Sequence, residues 1–162
     1  HRSARLHPAL RQRDQRAHRH GARRRAGQLP ALMEPIRIAA ALIDDGAGRM
    51  LLVRKAGSRA YMQAGGKIEP GEAPLDALRR ELAEEIGLEI ADAPWLGRFQ
   101  APAANEPGRI VEAELFHLTM VHDPAIAAEI EEARWVEIAQ AGELPLAPMT
   151  RDHVLPIALK LA

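Results

Sequence analysis

The chain of 162 residues contains no cysteine, which excludes disulfide bonds and thiolate metal ligands. We therefore predict a cytoplasmic setting, and we expect any bound metal ion to be held by oxygen or histidine ligands. Aromatic residues make up only 3% of the sequence, so few side chains are available for stacking on a base. No apolar run approaches the roughly 20 residues of a membrane-spanning helix, and this predicts a soluble protein without a membrane partner.

Acidic residues are nearly missing from the first part of the chain. Residues 1–32 hold nine arginines and one aspartate, a net charge of +8, whereas residues 33–162 hold 13 basic and 21 acidic residues, a net charge of −8. The first segment also lacks helical or strand periodicity, which predicts a disordered tail or non-domain segment. A single domain is expected over residues 33–162. A nucleic-acid-binding arm, a targeting segment and a contact with the acidic domain remain alternative roles for the tail.

The stretch Gly65–Leu88 reads GGKIEPGEAPLDALRRELAEEIGL, and it predicts a loop followed by a helix. Paired glycines and a Pro-Gly step are strong turn signals. The helix is predicted over Pro74–Ile86, because proline suits a first helical turn and Gly87 suits the left-handed position after a helix end. Apolar residues recur at helical spacing, which predicts one face packed on a core: Leu75, Leu78, Leu82 and Ile86.

Three glutamates occupy a separate face of this helix. Glu81, Glu84 and Glu85 are three and four residues apart, so the helical period brings their side chains together. Such charged faces are often solvated surface, and that interpretation stays open for this pattern alone. However, like charges at this spacing repel unless a cation offsets them. Carboxylate oxygens are hard ligands, which favours Mg²⁺ with Mn²⁺ as the alternative.

The spacing of Gly66, Glu72 and Arg80–Leu88 follows the pattern G, five of any, E, seven of any, R-E-U-x-E-E-x-G-U, with U aliphatic. The residue at every specified position agrees, so this stretch resembles the Nudix box, the motif of the MutT-like Nudix hydrolases. The resemblance implies an α/β fold, an α/β/α sandwich with a mixed β-sheet. It also implies metal-dependent hydrolysis of a pyrophosphate bond in a nucleoside diphosphate linked to another moiety. Ala64 departs from the proline that members often carry there.

The resemblance also implies roles for individual residues. The metal ligands it implies are Glu81, Glu84, Glu85 and the backbone of Gly65 or Gly66. Arg80 and Glu72 complete the catalytic set, with Arg80 expected to orient carboxylates and Glu72 to brace the loop. The general base stays open between a box glutamate and a carboxylate of the acidic loop, where Glu129 and Glu131 are the candidates.

Residues outside the box are candidate substrate ligands. Basic residues ahead of and inside the loop suit phosphate oxygens, a tyrosine beside the loop suits base stacking, and the tip of the later loop 102–109 suits the rim of a cleft. Solvated surface, a core position and a plain hairpin connection are the respective alternatives. The residues concerned are Arg54, Lys67, Tyr61, Asn105 and Glu106.

Apolar runs predict the strands around the box. A strand over 36–43 is expected to form a hairpin with 50–53, and further strands are expected over 95–101, 110–121 and 133–138. An acidic loop is predicted over 122–132. A final helix is predicted with Thr150 as its N-cap and with Pro156 kinking it or delaying its start.

The substrate is left open by the resemblance, between a nucleoside triphosphate and an ADP-ribose-like compound. Pro102 stands 14 residues beyond Leu88, near where ADP-ribose enzymes tend to carry a proline. Two other functions stay as alternatives: an RNA 5′-end pyrophosphohydrolase that uses the basic tail, and a non-catalytic sensor of a nucleotide or ADP-ribose, which the intact box disfavours. The expected partner is a nucleotide-type small molecule rather than nucleic acid. The sequence leaves the oligomeric state open, and the resemblance makes a homodimer one possible assembly.

Overall fold

The computed structural model describes residues 33–162, so the tail predicted over residues 1–32 lies outside the described residues. The strands are β1 (Ile36–Asp44), β2 (Arg49–Lys55), β3 (Gly65–Lys67), β4 (Trp95–Pro102), β5 (Ile110–Thr119) and β6 (Ile130–Glu137). The α-helices are α1 (Pro74–Ile86) and α2 (Leu155–Leu161), and between β6 and α2 lie a 3-10 helix (Ile138–Glu143) and a π-type turn (Thr150–Val154). Within residues 33–162, no helix is long and apolar enough to cross a membrane.

The strands form one mixed sheet of six, in the order β4-β5-β1-β2-β6, with β3 paired to β1 beside this path. β1 and β5 run parallel from Ile36 to Asp44, and the other pairs are antiparallel. The predicted mixed sheet is therefore confirmed.

The predicted hairpin between β1 and β2 forms only beside its turn. The two strands share the register pair Asp44↔Met50, and beyond it β3 pairs with β1 over Ile38–Ala40. β2 pairs instead with β6 along Arg49–Lys55. The prediction was wrong about the main partner because an apolar run specifies a buried strand but not which strand lies beside it.

Apolar side chains cover both faces of the sheet. On one face α1 buries Leu78, Leu82 and Ile86 against a cluster that includes Leu51 and Val53. On the other face the segment leading into α2 and the helix itself contribute to a second cluster, which contains Leu42, Leu52, Leu115, Val154 and Ala158. A sheet that packs helices on two sides is the predicted α/β/α sandwich.

The predicted bounds of α1 are confirmed at both ends. Pro74 opens the helix, and Gly87 closes it with φ 65°, the left-handed conformation that glycine adopts without strain. The last carbonyl groups do not end in solvent, because the amides of Ala127 and Ala125 donate to the oxygens of Glu85 and Ile86, each at 3.0 Å. The acidic loop is thereby fastened to the end of the helix that carries the glutamates.

The C-terminal helix starts later than its predicted N-cap. Thr150 does not cap it, since its hydroxyl donates to Gln63 Oε1 at 2.7 Å and the residue lies inside the π-type turn. Pro156 lacks an N–H and sits in the first turn of α2, so the regular helix begins only at Leu155. The predicted delay is confirmed, and the predicted cap was wrong. The acidic loop is also shorter than predicted, because β6 already begins at Ile130.

Candidate active site

Glu85 is a carboxylate buried in the core side of α1, with 1% of the residue exposed. Its Oε2 accepts the N–H of Gly65 at 3.1 Å, so the helix is tied to β3. Its Oε1 is buried without a hydrogen-bond partner among the described residues, and Lys55 Nζ lies 3.7 Å away. One oxygen of a buried carboxylate is thus left for a cation.

Burial raises the pKa of Glu85 to about 7. The Lys55 ammonium and the Gly65 amide act against this rise, whereas the carboxylates of Glu81 and Glu129 add to it. A buried negative charge with an unpaired oxygen is costly unless a positive charge compensates it. The site therefore fits a hard divalent cation, whose charge would offset that cost and occupy the free oxygen.

Arg80 connects the helix to the loop before it. Arg80 donates from Nε and Nη2 to Glu72 at 3.0 and 2.8 Å, and from Nη1 to Glu81 Oε1 at 2.7 Å. A fourth hydrogen bond joins Nη2 to the backbone oxygen of Lys67 at 3.0 Å. The hydrogen bonds from Arg80 hold the pKa of Glu72 below its ordinary value, so Glu72 is a firm anion within this network. This geometry suits the expected orienting role of Arg80, whose carboxylate partners are Glu72 and Glu81.

Glu81 lies directly against Gly66, the first glycine of the box. A Cβ added to Gly66 would stand 2.4 Å from Glu81 Cδ, so only glycine leaves room for this carboxylate. Glu81 and Glu85 thus both meet the Gly65–Gly66 strand, whereas Glu84 is exposed. Among the described residues, no three acidic or histidine side chains are close enough to form a preassembled metal centre. The structure brings together two of the three predicted carboxylate ligands.

Gly66→Ala is expected to lower turnover by roughly 100-fold, because the new methyl group displaces the Glu81 carboxylate by more than an ångström. The fold should tolerate the change, since the clash is with the end of a flexible side chain. Gly142→Ala is the control, because its nearest contact would be an ordinary 3.7 Å. Steady-state kinetics together with thermal unfolding test this, and unchanged turnover in Gly66→Ala would show that the position of Glu81 is unimportant.

A cleft of ≈ 160 Å³ opens beside the glycine strand. Three of the predicted substrate ligands line it, namely Lys67, Asn105 and Glu106. Lys67 Nζ lies 3.5 Å from Glu106 Oε1, and the Asn105 side-chain oxygen accepts the Ser58 hydroxyl at 3.0 Å. The cleft therefore presents both cationic and hydrogen-bonding groups next to the box.

The other two predicted substrate ligands, Arg54 and Tyr61, lie outside this lining. Arg54 donates to Glu131 and Glu132 at 3.1 and 3.2 Å. Tyr61 is 9% exposed, its hydroxyl donates to Glu132 at 2.9 Å, and the Arg134 guanidinium stands 5.6 Å from its ring centroid. Neither the Arg54 guanidinium nor the Tyr61 ring is therefore free to contact a substrate bound in this cleft.

The same contacts separate the two candidate bases. Glu131 is held by Arg54, away from Glu85, and it lies on β6 rather than in the loop. Glu129 Oε1 is 3.3 Å from Lys55 Nζ, which also contacts Glu85. Only Glu129 of the two is therefore linked to the box carboxylates.

Lys55 is one of the basic residues ahead of the glycine loop, and its contact with the box carboxylate Glu85 was not predicted from the sequence. It follows Arg54, and strand alternation sends the two side chains to opposite faces. Lys55 shares its face with Leu51 and Val53, which pack towards α1. Alternation was the available signal, but β2 is apolar on both faces, so the sequence does not reveal which face meets the helix.

The fold is an α/β/α sandwich in which carboxylates of α1 lie against a glycine strand beside a cleft. This arrangement indicates a metal-dependent hydrolase. A family profile, the NUDIX domain, matches residues 34–156. The CTP pyrophosphohydrolase of Escherichia coli (strain K12) is 33% identical over 119 residues, which are 72% of this chain and 86% of that protein. The 8-oxo-dGTP diphosphatase of Haemophilus influenzae is 31% identical over 126 residues, 74% of this chain and 90% of that protein. The solution structure of the E. coli ORF135 protein, at 33% identity, covers 80% of this chain and 91% of its own with a TM-score of 0.61.

The chain belongs to the Nudix family, as its box predicted. It is accordingly a hydrolase acting on acid anhydrides, a pyrophosphohydrolase of nucleotide substrates. Nudix hydrolases generally use divalent metal ions.

Proposed function

We propose that the protein hydrolyses a nucleoside triphosphate, with CTP the first candidate, to a nucleoside monophosphate and pyrophosphate, using Mg²⁺. The observation that carries this proposal is the buried Glu85 carboxylate, whose Oε1 is unpartnered beside the glycine strand of the cleft. The relatives named for CTP and 8-oxo-dGTP support a triphosphate over an ADP-ribose-like substrate. Pro102 lines the cleft, but a proline carries no group that selects between these substrates.

The box residues prepare the site for a highly charged substrate. When bound, a divalent cation neutralises phosphate oxygens and lowers the pKa of the attacking water. Glu81 and Glu85 would hold it with a backbone carbonyl of the Gly65–Gly66 strand, and the exposed Glu84 would join them. Arg80 keeps the Glu81 carboxylate in position through its 2.7 Å hydrogen bond.

Residues at the other side of Glu85 complete the chemistry. We assign Glu129 as the group that takes the proton from water, since its loop is fastened to the end of α1 and Lys55 links it to Glu85. Lys55 and Lys67 both line the cleft, where their ammonium groups would bind phosphate oxygens. As the water oxygen bonds to the α-phosphorus, the bond from that phosphorus to the α–β bridging oxygen breaks, and the bridging oxygen leaves as part of the pyrophosphate.

The two alternative functions, RNA pyrophosphohydrolase and non-catalytic sensor, have less support from residues 33–162. Residues 33–162 carry 13 basic and 21 acidic residues, and this charge opposes the binding of an RNA polyanion. A sensor needs no intact set of box residues, whereas every specified box position is present here. The cytoplasmic setting, the homodimer and the disordered tail stay predictions.

A substrate panel tests the proposal. With Mg²⁺ and then Mn²⁺, we expect the highest kcat/KM for a nucleoside triphosphate, CTP first, with monophosphate and pyrophosphate as products. EDTA should remove the activity and added Mg²⁺ should restore it. Faster hydrolysis of ADP-ribose than of every triphosphate would overturn the substrate, and hydrolysis that persists in EDTA would overturn the role of the metal.

A further inference from the structure

Gln63 is a buried side chain with only half of its amide satisfied. It is 6% exposed, and its Oε1 accepts the hydroxyl of Thr150, itself 0% exposed, at 2.7 Å. Its Nε2 is also buried and has no hydrogen-bond partner among the described residues. In this arrangement the Thr150 hydroxyl donates to Oε1, which leaves Nε2 as the donor without a partner.

The unpartnered Nε2 of Gln63 lowers the stability of the free protein. A buried polar group without a partner destabilises a protein, and an apolar side chain of similar size would avoid that loss. Nε2 of Gln63 is therefore expected to gain a hydrogen-bond partner when a ligand binds.

Both hydrogen-bonded residues line the cleft described above. Gln63 stands two residues before Gly65, so it lies next to the glycine strand but contributes to the other part of the cleft wall. That part is mainly apolar and includes Ile38, Val111 and Met149. No aromatic side chain lines the cleft within residues 33–162, so a base bound here would be held by aliphatic contacts and hydrogen bonds rather than by stacking.

Two methionines line the cleft next to the hydrogen-bonded pair. Met62 precedes Gln63 and Met149 precedes Thr150, and both line the cleft. Methionine is unbranched and adapts its shape readily, so these side chains can shift when a ligand enters. The cleft wall beside Gln63 and Thr150 is therefore adaptable.

We propose that Gln63 is a specificity-determining residue, which donates a hydrogen bond from Nε2 to an acceptor atom on the substrate base, the N3 or O2 of cytosine in CTP. Thr150 is a positioning residue that keeps the donor, rather than the amide oxygen, facing the base. This inference rests on the proposed triphosphate hydrolysis and adds the group that reads the base.

The test compares Gln63→Met and Thr150→Val with the wild type, using CTP and CTP analogues that each lack one acceptor on the base. Since a neutral hydrogen bond contributes about 0.5–1.5 kcal/mol, KM for CTP should rise roughly threefold to tenfold in Gln63→Met while kcat stays within about twofold. The analogue without the recognised acceptor should be penalised by a similar factor in the wild type and not at all in Gln63→Met. Gln140→Met, a change at an exposed glutamine, is the matched control.

Equilibrium binding of CMP provides a readout apart from turnover, and its affinity should fall by the same factor in Gln63→Met. Thr150→Val retains the amide but frees its orientation, so it should lose part of the discrimination and serves as the second variant should Gln63→Met not fold. Unchanged KM and an unchanged analogue penalty in a folded variant would overturn the role of Gln63 while leaving the proposed function intact. A wild type that hydrolyses no nucleoside triphosphate would overturn both.

Discussion

Glu85→Gln is expected to lower metal-dependent turnover by roughly a thousandfold or more and, at the same time, to stabilise the metal-free protein. The amide keeps the size of the side chain but is a poor ligand for a hard cation, so several kcal/mol of transition-state stabilisation is lost. The gain in stability has a separate cause. In the metal-free fold the buried carboxylate has an oxygen without a hydrogen-bond partner, and a neutral side chain is less costly to bury there.

The pH dependence of that gain follows from the direction of the pKa change. Burial raises the pKa of Glu85 from an ordinary 4.5 to about 7, so the folded state binds the extra proton between these values. The free energy of unfolding of the metal-free protein therefore falls as pH rises from about 4.5 to 7, and the loss is complete above that range. Glu85→Gln should remove this slope and add about 3 kcal/mol at pH 8.

Urea unfolding in EDTA at pH 5, 6, 7 and 8 measures this effect. Glu89→Gln is the matched control, because Glu89 is exposed just beyond the helix and should change neither turnover nor the pH dependence. A Glu85→Gln protein that is less stable than the wild type at pH 8 would mean that the carboxylate is favourably paired in the free fold.

Gly65→Ala is expected to cost more stability than any other single glycine change near the site. An added Cβ would lie 2.2 Å from the oxygen of Ala39 and 2.7 Å from Cα of Ala40, and φ of +149° is already unfavourable for alanine. Both atoms belong to the backbone of β1, which cannot retreat without breaking its pairing with β5. Clash and backbone strain together should destabilise the fold by about 3 kcal/mol or more.

Gly57→Ala separates the two contributions. Gly57 has φ +80° but nothing within 4 Å of an added Cβ, so its change should show only the strain of about 1 kcal/mol. Denaturant unfolding of the two variants gives the difference directly. Equal losses for both would show that β1 accommodates the methyl group and that close packing against β3 does not require glycine.

The helix and the box were predictable because their signals are local. Pro74 and Gly87 mark the ends of α1 through their own backbone preferences, and the apolar stripe between them identifies the packed face. The pairing of β2 was not predictable in this way. A strand that is apolar on both faces carries no record of its neighbour, and β3, only three residues long, takes a place beside β1.

The same contrast applies to the site. The resemblance to the box implied that Glu81, Glu84 and Glu85 would lie beside Gly65 and Gly66, and two of the three do. Contacts between distant parts of the chain decided the rest: Glu132 holds Tyr61 in the core, and Thr150 fixes Gln63 from 87 residues away. No local sequence pattern encodes such pairs, so the contacts on the substrate side of the cleft could be identified only from the structure.

The central claim is that carboxylates of α1 hold a divalent cation without which the nucleotide pyrophosphate bond is not cleaved. The most direct measurement is CTP hydrolysis by EDTA-treated protein as Mg²⁺ is added back, for the wild type, Glu85→Gln and Glu89→Gln. We predict no hydrolysis before Mg²⁺ is added, full recovery in the wild type and Glu89→Gln, and none in Glu85→Gln at any Mg²⁺ concentration. Hydrolysis in EDTA, or recovery of Glu85→Gln to near the wild-type rate, would contradict the claim.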